Sequence, residues 1–107
     1  CVGACYDDMF EAVEELKRVG GGLAAVKDGV VLAELKLPVA GLMSDEPAEY
    51  VREGLEKLHA SAQDLSCRLP SPFMTLSFLS LPVIPELKLT DKGLVDVKNF
   101  RLVEVSI

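Results

Sequence analysis

The chain has 107 residues, half of them hydrophobic and 26% charged, and its 17 acidic side chains against 11 basic ones give a net charge of −6. This is the composition of one globular domain that can bury a core without staples, not that of a disordered chain. The acidic balance and the lack of a basic run exclude nucleic-acid binding driven by phosphate neutralisation, and the greasiest segment, "PFMTLSFLSLPVIP", is broken by Pro82 and Pro85 and is too short to span a bilayer.

The opening "CVGACYDD" lacks an initiator Met and reads as a piece of something longer. From Asp7 onward, Met9, Val13, Leu16 and Val19 recur every three or four residues, while Glu11, Glu14, Glu15, Lys17 and Arg18 fall on the other face. That spacing predicts an amphipathic helix. Asp7 or Asp8 suits its N-cap, Glu14 is placed to reach Arg18 at i,i+4, and the glycines 20–22 stop it. Next, "LAAV" and "VVLAELKL" flank "KDG", and an Asp-Gly pair between apolar runs predicts a hairpin with strands near 23–27 and 30–37. In the second strand Val31, Ala33, Leu35 and Leu37 share a face, with Glu34 and Lys36 pointing away.

A second helix is expected over about 47–66, with Val51, Leu55, Leu58, Ala62 and Leu65 as its stripe. Pro47 fits its first turn, and Ser44 and Asp45 just ahead are its expected cap. Gly54 inside it costs about 1 kcal/mol relative to Ala, which asks for a close packing neighbour or simple tolerance. The segment "SPFMTLSFLSLP" alternates like a strand at Met74, Leu76 and Phe78, yet Ser71 followed by Pro72 is a helix start, and a short helix is the preferred reading. "ELKLTDKGLVDV" repeats the hairpin grammar with a turn at Asp91 to Gly93, and "FRLVEVSI" reads as a closing strand. The echo between "ELKLPVAGL" (34–42) and "ELKLTDKGL" (86–94) fits either a duplicated α-then-β unit or convergence of two strand-turn segments, and convergence is the preferred reading because no matching helix patterns accompany it. The expected architecture is a single α+β domain over 1–107. A small mixed or antiparallel sheet would carry two main helices on one face, with a short Pro-bounded helix beside them.

Residues able to do chemistry are few. His59 is the single histidine and sits beside Leu58 in the second helix, where a partly buried or surface histidine is expected rather than a ligand. Cys1, Cys5 and Cys67 are odd in number and, without a second close pair, do not make a zinc framework; folding is expected not to need zinc. Nothing resembles a signal peptide, so a reducing cytoplasm is the expected setting. The acids Asp7, Asp8, Asp45, Glu46 and Glu49 each precede or open a helix, where carboxylates serve the free N–H groups and the dipole. No GxSxG, HExxH or phosphate loop is present. No catalytic and no metal-binding residue is named.

The stretches "GGGLAAVKDGVVLAELKLPVAGLMSDEPAE" and "LPSPFMTLSFLSLPVIPELKLTDKGLVDV" closely resemble the C-terminal region of prokaryotic adenine deaminases. The likeness covers about residues 7–105; "CVGACY" departs from the Gly-Thr-Asn type of run found there. The resemblance implies membership of the amidohydrolase superfamily, in which a metal-dependent (β/α)₈ barrel activates water for attack on C6 of adenine. It also implies a divalent metal in the parent enzyme, manganese or iron, held by barrel histidines and carboxylates whose motifs do not occur here. A barrel needs about 250 residues, so this chain does not contain one.

The expectation that follows is an accessory domain, inactive alone and without a cofactor of its own. It would pack on its own catalytic barrel or at a subunit contact of a homo-oligomer. Met43, Ser44 and Asp45, as a loop that could face the barrel mouth or the subunit contact, and Phe73, Met74 and Phe78 are the candidate docking residues; Met43, Phe73, Met74 and Phe78 are large, and adaptable Met side chains suit a packed contact. The competing expectation is a stand-alone binding or oligomerisation module without catalysis.

Overall fold

The computed structural model describes residues 1–105. They form three helices and five strands in two compact units, Cys1–Pro72 and the residues from Phe73 onward. The class is α+β, as expected, but the strands divide into two separate antiparallel sheets, β1-β2 and β3-β4-β5.

In the first unit, α1 (Tyr6–Val19) ends where its periodicity ends. Gly20 takes the left-handed conformation at φ 83°. Gly20 N donates to Lys17 O and Gly21 N to Leu16 O, the paired bonds of a Schellman stop that glycine enters without a Cβ penalty. The N-terminus differs from expectation. Cys5 is the N-cap and gives no side-chain bond. The Asp8 carboxylate instead accepts from the backbone N–H groups of Asp28 at 3.2 Å and Gly29 at 2.8 Å, in the hairpin turn. The expected Glu14–Arg18 pair is replaced by two i,i+3 pairs, Glu14 with Lys17 and Glu15 with Arg18.

The hairpin itself, β1 (Gly22–Lys27) and β2 (Val30–Lys36), turns through Asp28 and Gly29, both at positive φ (52° and 72°). That is the primed turn whose twist matches the strands. Its register pairs Ala25 with Ala33 and Leu23 with Leu35, with an irregularity between Ala25 and Val26. Ala33, Leu35 and Leu37 are buried while Glu34 and Lys36 stay exposed, which is the expected alternation. α2 (Ala48–Asp64) lies chiefly against β2, and α1 chiefly against β1. Leu58 and Ala62 from α2 close the core with Ala25, Ala33, Leu35 and Leu37. Gly54 has the close neighbour its presence asked for, since a Cβ there would lie 2.8 Å from Leu35 Cδ1. At its C-terminus α2 ends on a second Schellman pair, Ser66 N to Gln63 O and Cys67 N to Ala62 O, with Ser66 rather than glycine at φ 66°.

The second unit holds most of α3 (Pro72–Ser80) and a meander of β3 (Leu87–Thr90), β4 (Gly93–Asp96) and β5 (Arg101–Val103). The short helix expected after Ser71 is present. At the β3–β4 turn Thr90 Oγ1 accepts from Lys92 N and donates to Gly93 O. At the next turn Asp96 accepts from Asn99 N and Nδ2. Val97 N donates to Glu86 O, which ties this turn to the start of β3. The closing strand is shorter than "FRLVEVSI", and the last two residues of that stretch lie outside the described ones.

Candidate interaction surfaces

The loop between β2 and α2 is a tight reversal. Val39 and Met43 form an isolated antiparallel bridge, and Val39 O accepts from both Leu42 N and Met43 N. Ala40 and Gly41 between them sit at φ 57° and 72°. The reversal drives Leu42 and Met43 outward, 74% and 60% exposed. Ser44 Oγ accepts from Glu46 N at 3.1 Å, so Ser44 closes a local turn. It does not cap α2, whose N-cap is Pro47 and carries no side-chain bond; Asp45 is exposed on the same loop. The capping expectation for Ser44 and Asp45 therefore fails: Pro47 at φ −55° and ψ 150° holds the entry conformation by itself.

Phe73, Met74 and Phe78 belong to α3, in the other unit. Met74, Phe78 and Leu79 are exposed and Phe73 is half-buried. This helix has apolar residues on every side, a pattern that in a stable helix means burial by neighbours. The six candidate residues thus fall on two elements, one loop and one helix.

A third surface escaped the periodicity argument. Tyr6, Phe10 and Val13 follow one another at i, i+4 and i+7 along α1 and are 88%, 65% and 43% exposed. Val13, expected on the core face, belongs to this outer stripe, while Met9, Leu16 and Val19 are half-buried. The spacing of Tyr6 and Phe10 ahead of Val13 was the available signal.

Charge is organised where α1 meets β2. Glu15, expected on the solvent side, is buried and receives both Arg18 Nε and Nη2. Arg18 Nη2 also lies 3.5 Å from Glu34 Oε2. The Arg18 hydrogen bond, seconded by one from Glu34, holds Glu15 below the usual carboxylate range. The Glu34 carboxyl is pushed up, first by its hydrogen bond to Glu15 and then by desolvation. The arrangement is a clasp between helix and strand. In the second unit Asn99, then Arg101, holds Asp96 below its ordinary value.

Among the described residues no three of His, Cys, Asp and Glu gather within reach of one ion. Cys1 and Cys5 are exposed and Cys67 is half-buried. A dent of about 100 Å³ between β2 and α2, lined by Glu34, Leu35, Tyr50, Glu53, Gly54 and Lys57, is smaller than the roughly 300 Å³ at which small-molecule sites begin. No helix among the described residues is long and apolar enough to cross a membrane.

Comparison with known proteins gives a consistent answer. The family model for the adenine deaminase C-terminal domain matches residues 1–101, so the opening six residues fall inside the match. The chain is 59% identical over 106 residues to adenine deaminase 2 of Carboxydothermus hydrogenoformans, covering 98% of this chain and 19% of that protein. It is 53% identical to an adenine deaminase of Dehalococcoides mccartyi and 54% identical to one of Brucella abortus, each over 95% of this chain and 18% of the relative. The chain thus spans about a fifth of the length of the curated relatives it matches. No solved structure matches it.

Proposed function

The chain belongs to the adenine deaminase C-terminal domain family, and from that premise we propose that it is the non-catalytic accessory domain of an enzyme that hydrolyses adenine to hypoxanthine and ammonia. The observation that carries this reading is the pairing of high identity along nearly the whole chain with coverage of less than a fifth of each relative. The reaction consumes one water and would use a divalent metal, manganese or iron, which makes hydroxide available near neutral pH. The described residues do not fit that ion, since no three of their carboxylates, thiols and imidazole gather within reach of one. The metal centre is assigned to a barrel elsewhere in the same polypeptide, and no catalytic step is routed through this segment.

Its role is to pack. The Leu42–Met43 loop and the Met74–Phe78 face of α3 are assigned to contacts with the catalytic domain or a second subunit of a homo-oligomer, and residues 1–107 act as one accessory domain in that setting. Exposed Met and Phe side chains favour this, because such groups are adaptable in a packed contact and unfavourable in water. The unpaired cysteines favour a cytoplasmic setting. The test is ammonia release from adenine by the protein encoded by the whole reading frame, loaded with Mn²⁺ or Fe²⁺, beside the 107-residue chain treated in the same way. Activity in the former and none in the latter supports the reading. Metal-dependent deamination by the 107-residue chain contradicts it, and a frame with no further domain would favour the stand-alone module.

A further inference from the structure

Resting on that reading, we propose that the Tyr6–Phe10–Val13 stripe of α1 is the seat for an apolar surface of the polypeptide that precedes Cys1 in the intact enzyme. The stripe cannot turn inward. Asp8 pins the first turn of α1 to the hairpin turn, the Schellman stop fixes its end, and Arg18 reaches Glu34 on β2. α1 packs chiefly on β1, and Met9, Leu16 and Val19 are already half-buried, Met9 lying against Gly3. With the helix held in this rotation, a Tyr and a Phe from a chain that has only two Tyr and four Phe stand in solvent on one line. Aromatic side chains at that density mark contact surfaces.

The occupant follows from length and connection. The matched segment is under a fifth of each relative and is by family C-terminal, so in those proteins about four-fifths of the chain enters through the residues just ahead of this helix. A second copy of this chain is a poorer candidate. Two aromatics and a valine offer at most about 500 Å² per side, short of the roughly 800 Å² per partner of a stable association. A covalently joined domain needs no such area, because the linkage raises its local concentration into the millimolar range. The stripe is also distinct from the Met43 loop. Gly41 lies beside Gly21 at the far end of the hairpin from the Asp28–Gly29 turn, roughly 20 Å away at strand rise.

Hydroxyl-radical footprinting of the protein from the whole reading frame tests this, with deamination of adenine assayed on the same sample. Tyr6 and Phe10 are expected to label about fivefold more slowly than Tyr50, an exposed ring on α2, as desolvated contact residues do. Phe10→Asp should restore labelling of Tyr6 while the far-UV spectrum is retained. Tyr6 and Phe10 labelling as fast as Tyr50 overturns the proposal. Protection that appears only as concentration rises assigns the stripe to a second copy and overturns it as well. Deamination with unprotected rings removes this inference and leaves the function standing; protected rings without deamination do the reverse.

Discussion

The two units of this chain are built from the same hydrophobic stock and use it differently. In Cys1–Pro72 two amphipathic helices close over a hairpin, and six of the buried apolar side chains, sealed around Leu35 and Leu58, belong there. Beyond Pro72, Val97 is the only buried hydrophobic side chain among the described residues. Leu87 and Leu89 of β3 are exposed, on the sheet face that the register gives to Leu94 and Val103. A unit below about 40 residues seldom buries enough surface to stand by itself. The first unit therefore holds most of the buried apolar side chains among the described residues, and the second leaves many of its own exposed.

The largest expected effect tests that asymmetry directly. Leu58→Ala should cost about 3 kcal/mol in urea unfolding, since it empties a sealed core position, whereas Val97→Ala should cost about 1 kcal/mol because its surroundings can collapse. Equal costs would erase the distinction. Gly54→Ala sharpens the packing side of the argument. An exposed helical Gly→Ala gains about 1 kcal/mol, but here the new methyl meets Leu35, which is itself buried, so a net loss of about 1 kcal/mol is expected. A stabilised Gly54→Ala variant would mean that Leu35 has room to move.

Much of the first unit could be read from the residues because its order is local. The 3.6-residue spacing of Met9 to Val19 and of Val51 to Ala62, the Asp28–Gly29 turn and the alternation around Leu35 each depend on neighbours in the chain. What escaped depends on distant partners. Asp8 looked like a cap because the sequence cannot show that a hairpin turn 20 residues away offers two N–H groups. Glu15 looked solvated because Arg18 and Glu34 come together around it only in the fold. Ser44 and Asp45 lost the cap to the backbone of Pro47. The candidate surfaces divide in the same way: residue type marks Met43, Met74 and Phe78, which are exposed, whereas Tyr6 and Phe10 share a helix whose periodicity points to one core stripe and are exposed beside it.

Smaller effects lie at the element ends. Ser66 holds a left-handed conformation that costs a non-glycine residue roughly 1 kcal/mol, so Ser66→Gly should stabilise the first unit by about that amount in thermal unfolding. No gain would show that the serine is not strained there. In the second unit Asn99→Ala should raise the Asp96 pKa towards the ordinary carboxylate range, as followed by carboxyl NMR. Because the folded-state pKa of Asp96 is depressed, its contribution is present above the unfolded-state value of about 3.9 and fades as pH falls through the folded-state value. The variant should retain less of that contribution at neutral pH, and an unmoved Asp96 titration would show that Asn99 does not hold it.

Residue-resolved amide exchange on the 107-residue chain, repeated on the protein from the whole reading frame, tests the central claim most directly. In the short chain the amides of β1, β2 and α2 should be protected to the full unfolding free energy, while those of β3, β4 and β5 should exchange much faster. In the longer protein the second group should slow markedly and the first should hardly change. Uniform protection of both units in the short chain, unaltered in the longer protein, would contradict the account.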